Sequence, residues 1–321
     1  MKRLLGLLRH PWVRLGFVLV AVAAAVVAVV TERAAIAHAL RELSPGTVLV
    51  AAALGVPYLV CTLGSWRAIL ADLGSPLTRS EAITVFGVSQ LGKYVPGGVW
   101  NVVAAAELGA ERSIPRRRSL SAMAVAILVA LVTGVALGVV TVATVGEGDL
   151  DLRWLWVAAP LLLAAMVPAV LNRLLALAMR VARRPPLEQP LTANGAARAV
   201  AWALASWVVI GAQVWLLAGG LGLPLTAGTF LRCVGAFALA WVVGFLVVVV
   251  PAGLGAREVV LAAMLGGVLE PAAVIVVVLA SRVLQTIGDL ALAALGGALA
   301  RRGGRVGAIV RDAAEDPGDT V

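Results

Sequence analysis

Gln90-Leu91-Gly92-Lys93-Tyr94-Val95-Pro96-Gly97-Gly98-Val99-Trp100-Asn101 is the stretch on which the fold turns. It lies in the middle of an apolar region, Glu81 to Ala110, yet a proline followed by two glycines stops a helix there. The arms on either side are about 15 and 12 residues, roughly 22 and 18 Å at 1.5 Å per residue, each too short for a hydrocarbon core of roughly 30 Å. The region is therefore expected to be a helical hairpin that enters and leaves the membrane on one side. A second apolar region, Thr229 to Leu269, is broken in the same manner at Pro251-Ala252-Gly253-Leu254-Gly255. Its longer arm, about 22 residues or roughly 33 Å, is long enough to cross, which leaves the depth of its tip open.

Outward from these breaks the chain is apolar almost throughout. Of 321 residues 61% are hydrophobic and 13% charged, and the mean hydropathy is +1.01, too little polar surface to cover a water-soluble globule of this size. In hydrocarbon every backbone N–H and C=O is paired within its own segment or in a closed barrel, and long apolar runs without strand-like alternation select helices. Full spans are expected at about Leu15 to Val30, Thr47 to Leu70, Ser119 to Val142, Trp154 to Leu175, Ala197 to Gly219 and Ala272 to Ala300. The first follows Lys2, Arg3, Arg9 and Arg14 and is read as an uncleaved signal anchor.

Basic clusters orient the spans. Arg112 with Arg116, Arg117 and Arg118, Arg173 with Arg180, Arg183 and Arg184, and Arg301, Arg302 and Arg305 are expected on the cytoplasmic side, together with both termini. Arg232 is the exception, falling near the outer surface. These assignments agree only if each broken region is a hairpin, the first opening to the cytoplasm and the second outward. The expected fold is all-α: a polytopic transmembrane helix bundle in the plasma membrane, with about six full spans and two broken-helix hairpins. Span, hairpin and span over residues 47–142 recur over residues 197–300 in the opposite orientation, the inverted-repeat plan of secondary transporters. Val95-Pro96-Gly97-Gly98 and Val250-Pro251-Ala252-Gly253 echo one another weakly. The transmembrane domain is read as residues 1–302, and the polar tail, 303–321, is expected to be disordered.

Two constellations could carry chemistry. Gln90, Lys93, Tyr94, Pro96, Gly97, Gly98, Trp100 and Asn101 place an ammonium beside glycines and the free N–H groups of a half-helix, a setting for a phosphate. The plain alternative is a turn with a lysine snorkelling to the surface. Pro251, Gly253, Gly255, Arg257 and Glu258 put an arginine and a carboxylate just after a break, costly in lipid unless they face a cavity or a partner. Arg257 suits a phosphate and Glu258 an amine, a proton, a coupling cation or Arg257 itself; with the second tip at a surface, the two are instead an ordinary interfacial charge pair. Adjacent on a helix, they point about 100° apart, so their mutual pairing is not the default. Arg282, Gln285 and Asp289 form one stripe on the last span, either lining a cavity or cross-linking helices.

The net charge of +9 is spread in short clusters beside apolar runs, which argues against nucleic acid. Cys61 and Cys233 have no metal-ligand spacing, and there is no Walker A or HExxH motif, so no metal, cofactor or catalytic set is expected.

The motif from Gln90 to Trp100, followed by Pro251-Ala252-Gly253-Leu254-Gly255-Ala256-Arg257-Glu258, resembles the transmembrane region of the lysylphosphatidylglycerol synthases and their stand-alone flippase-like relatives, from about Leu43 to Ala300. The resemblance implies a flippase-like fold and a lipid-handling role. The full synthases append an aminoacyltransferase domain, for which the residues after Ala300 leave no room, so a non-enzymatic protein is expected. Its expected partners are membrane lipids, either an anionic phospholipid or a lipid-linked sugar. The other reading is a non-transporting subunit that docks a lipid-modifying or glycosyl-transferring enzyme.

Overall fold

The computed structural model describes residues 33–95, 100–145, 167–181, 189–247 and 253–315, with a few single positions between 157 and 164. Helices account for all of the regular structure there: α1 (Arg33–Glu42), α2 (Pro45–Asp72), α3 (Arg79–Ser89), a 3₁₀ segment (Gln90–Tyr94), α4 (Trp100–Ala110), α5 (Arg116–Val145), α6 (Pro168–Val181), α7 (Ala193–Gly219), α8 (Ala227–Leu246), α9 (Ala256–Leu265) and α10 (Pro271–Glu315). Five are long and apolar enough to cross a membrane: α2, α5, α7, α8 and α10 up to Arg302. Leu49 (71% exposed) and Val56 (65%) of α2 and Ile287 (57%) of α10 show how much apolar surface the bundle leaves uncovered. In water that surface is a liability, whereas in lipid it is the ordinary exterior of a multi-pass membrane protein.

Four of the expected full spans coincide with α2, α5, α7 and α10. Leu15 to Val30 lies outside the described residues, as do most positions of residues 154–166 in the expected span Trp154 to Leu175, whose second part is covered by the start of α6. Both broken regions are interrupted as expected, but the arms differ in length from the reading. The first has two arms of 11 residues joined through the 3₁₀ segment, and the second has arms of 20 and 10. The last helix, α10, runs on to Glu315. Extending an existing helix needs no new nucleus, and alanine and arginine are good helix formers.

The ends of the helices are set by local sequence. Ser44 caps α2, its hydroxyl accepting from the Thr47 N–H at 3.0 Å, and Thr192 caps α7 by accepting from Gly195 N–H at 3.1 Å. Helices α2 and α7 then end alike. Gly74 and Gly222 take positive φ values of 88° and 96°. The next amides, Ser75 and Leu223, donate to carbonyls five residues back, Leu70 and Ala218, each at 3.0 Å, the double closure of a Schellman turn. Immediately afterwards Thr78 and Thr226 form capping boxes with Glu81 and Thr229 and start α3 and α8. The pattern Leu-Gly-x-Pro-Leu-Thr thus occurs at residues 73–78 and again at 221–226.

Helices α2 and α7 run antiparallel in the centre. Gln213 donates to the Ala51 carbonyl at 2.7 Å, Ser65 to that of Ala199 at 3.0 Å, and Thr192 N–H to Asp72 at 2.6 Å, three bonds that descend one helix while climbing the other. Helix α10 packs along α3, and α5 along α8. Gly87 faces Leu292, and Gly235 faces Thr141, where a Cβ at either glycine would collide with the neighbouring helix. Trp207 donates to Thr133 at 3.0 Å and Thr141 to the Leu231 carbonyl at 3.1 Å, fixing α5 to α7 and α8. Cys61 and Cys233 are buried free thiols.

Candidate functional site

Burying an amine, a guanidinium or a carboxylate among apolar helices costs several kcal/mol unless each finds a partner. Such groups converge at one place. A cavity of about 330 Å³ lies between α2, α3, the 3₁₀ segment, α4, α5, α7, α8, α9 and α10. The first constellation contributes Gln90, Lys93, Tyr94 and Asn101, the second Gly253 and Arg257, and the stripe on α10 contributes Arg282, Gln285 and Asp289.

The 3₁₀ segment positions Lys93 and Tyr94. Its tighter winding turns both toward α10, where Lys93 Nζ lies 2.6 Å from Asp289 Oδ2 and the Tyr94 hydroxyl donates to the same oxygen at 2.7 Å. Lys93 also reaches the Gln90 amide oxygen at 3.5 Å and stands 5.6 Å from the Tyr94 ring centroid. Asp289 itself is buried, 4% exposed.

On the other side, α9 and α10 form their own ion pair. Glu258 Oε1 lies 3.2 Å from Arg282 Nε, and Oε2 accepts from the Gly255 N–H at 2.6 Å, closing the first turn of α9. Arg257 points elsewhere, as adjacent helix positions must. It donates to the Gln285 amide oxygen at 3.3 Å, and its guanidinium lies 5.4 Å from the Phe237 ring centroid. Among the described residues no carboxylate oxygen comes within 4 Å of Arg257. Three cations therefore meet two carboxylates. The surplus charge sits on Arg257, whose flat guanidinium can offer two parallel N–H groups to a phosphate or carboxylate.

The structure gathers most but not all of the expected site residues. Trp100 is half exposed at the start of α4 and does not line the cavity. Gly255 caps α9 with φ 85°, and Glu258 lines a small adjoining pocket with Arg257 and Arg282 instead of the main cavity. A carboxylate bound to both a backbone amide and an arginine has little left for the amine or coupling cation expected of Glu258. Pro96, Gly97, Gly98 and Pro251 lie outside the described residues. Tyr58, Trp241 and Thr286 line the cavity and were not singled out from sequence. The signal for Tyr58 was a phenol, one of two tyrosines in the chain, following a proline in mid-span.

The lysylphosphatidylglycerol synthase TM region, as a family pattern, matches residues 14–293. The chain belongs to this family. That match takes in both broken regions and every cavity residue named above, so the site is built from the family's own transmembrane region and not from an appended segment. No curated protein matches the chain. Membership places the protein in lipid-related processes and agrees with the bundle of apolar helices.

Proposed function

We propose that the chain is a non-enzymatic translocator that moves an anionic phospholipid or a polyprenyl-phosphate-type lipid between leaflets of the plasma membrane, with the head-group phosphate held in the central cavity. The observation that carries this reading is the surplus cation. Arg257 faces a cavity large enough for a head group, with no carboxylate within 4 Å among the described residues, while Lys93 and Arg282 stand on the same walls. A phosphodiester supplies the missing charge and leaves its acyl chains among the apolar residues. Both termini are assigned to the cytoplasm by their basic clusters.

The same reading takes the two halves as an inverted repeat with hairpins. Several features support it. The helix caps at Ser44 and Thr192, the glycine turns at Gly74 and Gly222, the capping threonines Thr78 and Thr226, and the packing glycines Gly87 and Gly235 are all separated by 148 residues. Exchanging α2 with α7, α3 with α8, α4 with α9 and α5 with α10 turns the α10–α3 packing into α5–α8 and keeps α2 on α7. Because α2 and α7 are antiparallel, the exchange also reverses direction across the membrane. Rocking of one half against the other would expose the cavity to each side in turn.

The test is transfer of a labelled anionic phospholipid between leaflets of liposomes containing the purified protein. Arg257→Ala and Lys93→Ala, each checked for thermal unfolding, are expected to slow transfer at least tenfold. Unchanged transfer in both well-folded variants defeats the assignment of the cavity.

A further inference from the structure

Asp289 is placed differently from the other carboxylate of the site. Glu258 has both oxygens engaged, one by Gly255 N–H and one by Arg282. Asp289 has both of its partners, Lys93 and Tyr94, on Oδ2, and among the described residues no donor reaches Oδ1. Its single cation, Lys93, comes from the broken region and lines the same cavity as Arg257. A phosphodiester held between Arg257 and Lys93 divides the ammonium between two anions. The buried carboxylate then loses the cation that made its charge tolerable, and the least costly relief is a proton on the open Oδ1.

Resting on the translocator reading above, we infer that Asp289 couples head-group binding to proton uptake: the anion takes Lys93, and Asp289 takes a proton from the bulk solvent by way of the cavity as it releases Lys93. The charge balance closes. Three cations and two carboxylates leave one positive charge in the resting site; a monoanion cancels it, and the proton restores it, so lipid and proton enter the cavity as a neutral pair. The site then presents the same net charge loaded and empty, which favours reorientation of both forms in a low-dielectric interior.

The groups around Asp289 leave it as the carrier. The 3₁₀ segment brings Lys93 and Tyr94, α2 brings Tyr58, α9 brings Arg257 and the engaged Glu258, and α10 itself brings Arg282. The faces of α3 and α7 that line the cavity contribute Phe86, Ala203 and Ser206, none of which titrates. His38 and Glu42 of α1 pair with each other at 3.3 Å in exposed positions.

The experiment adds a short-chain phosphatidylglycerol, whose phosphodiester does not titrate near neutrality, to the detergent-solubilised protein in weak buffer, and records protons taken up per lipid bound. About one proton per bound lipid is expected for the wild-type protein and for Asp289→Glu, and none for Asp289→Asn. Binding with no proton uptake by the wild-type protein, or uptake unaltered in folded Asp289→Asn, overturns the coupling while leaving the translocator reading standing. In liposomes, a pH gradient is expected to accelerate wild-type transfer several-fold. Transfer indifferent to the gradient overturns the coupling alone, and no wild-type transfer at all overturns both.

Discussion

The two broken regions share a plan but not a distribution of charge. In the first, equal arms of 11 residues meet through a 3₁₀ segment whose one cation, Lys93, finds its anion on the other half of the molecule, at Asp289. In the second, Glu258 and Arg282 pair locally between α9 and α10, and Arg257 is left over. Helices α5 and α10 start at Arg116 and Pro271, 155 residues apart; the positions matching Arg282, Gln285 and Asp289 at that spacing are Ile127, Ala130 and Gly134. Two of these, Ile127 and Ala130, line the same cavity as apolar wall. On the inverted-repeat reading proposed above, one scaffold serves twice, once for a hydrophobic wall and once for a charged one. The difference teaches that two regions built alike need not carry alike charges: α5 gives the cavity apolar lining and α10 gives it charged lining.

The largest effect should come from breaking that charged wall. Arg282→Leu leaves Glu258 without its cation, at a cost of about 3 kcal/mol read by thermal unfolding in detergent, because each partner is only about a fifth exposed (21% and 22%). Adding Glu258→Leu removes the orphaned charge and should recover most of the loss, stopping about 1 kcal/mol short because the capping bond to Gly255 is gone as well. A double variant as unstable as the single one would mean that the pair does not close on itself within the second half.

A smaller effect separates the two glycine turns. Gly222 has nothing within 4 Å of where a Cβ would stand, so Gly222→Ala measures the positive-φ backbone cost alone, about 1 kcal/mol. At Gly74 the same methyl meets the Gln189 side chain, and Gly74→Ala should cost more, by roughly the 0.5–1.5 kcal/mol of a displaced rotamer. Equal losses would show that Gln189 moves aside freely.

How much of this was legible beforehand depended on where the information lay. Apolar runs and Pro/Gly breaks identify helices directly, because hydrocarbon permits little else, and α2, α5, α7 and α10 lie where they were expected. The Arg282, Gln285 and Asp289 stripe was readable from helical spacing. The partnership of Lys93 and Tyr94 with Asp289 was not, since 196 and 195 residues separate them and no local pattern selects one carboxylate over another. The bond from Gly255 N–H to Glu258 was not readable either, because it depends on a positive-φ turn that composition does not reveal. The 148-residue recurrence was present in the letters, but in the turns and not in the spans. Alanine- and valine-rich helices resemble one another by chance, whereas Leu-Gly-x-Pro-Leu-Thr encodes a Schellman turn followed by a capping box.

The smallest expected effect distinguishes those two boxes. At the start of α3 the box is closed by a carboxylate: Thr78 N–H and hydroxyl both donate to Glu81 Oε2, at 2.9 and 2.6 Å, and these bonds hold the Glu81 carboxyl below its ordinary value of 4.5. At the start of α8 the corresponding group is the neutral hydroxyl of Thr229. Thr78→Ala and Thr226→Ala should each cost about 1 kcal/mol at neutral pH. A carboxyl lowered on folding contributes stability that is present above its unfolded pKa and is lost as the pH falls through its folded one. The difference between wild type and Thr78→Ala should therefore shrink as the pH drops below about 4.5, while that between wild type and Thr226→Ala stays level. Thermal unfolding of the three proteins between pH 7 and pH 3 reads both. A Thr226→Ala difference that also shrank would tie the pH response to some group other than Glu81, and parallel pH-independent losses would make the two boxes equivalent despite their chemistry.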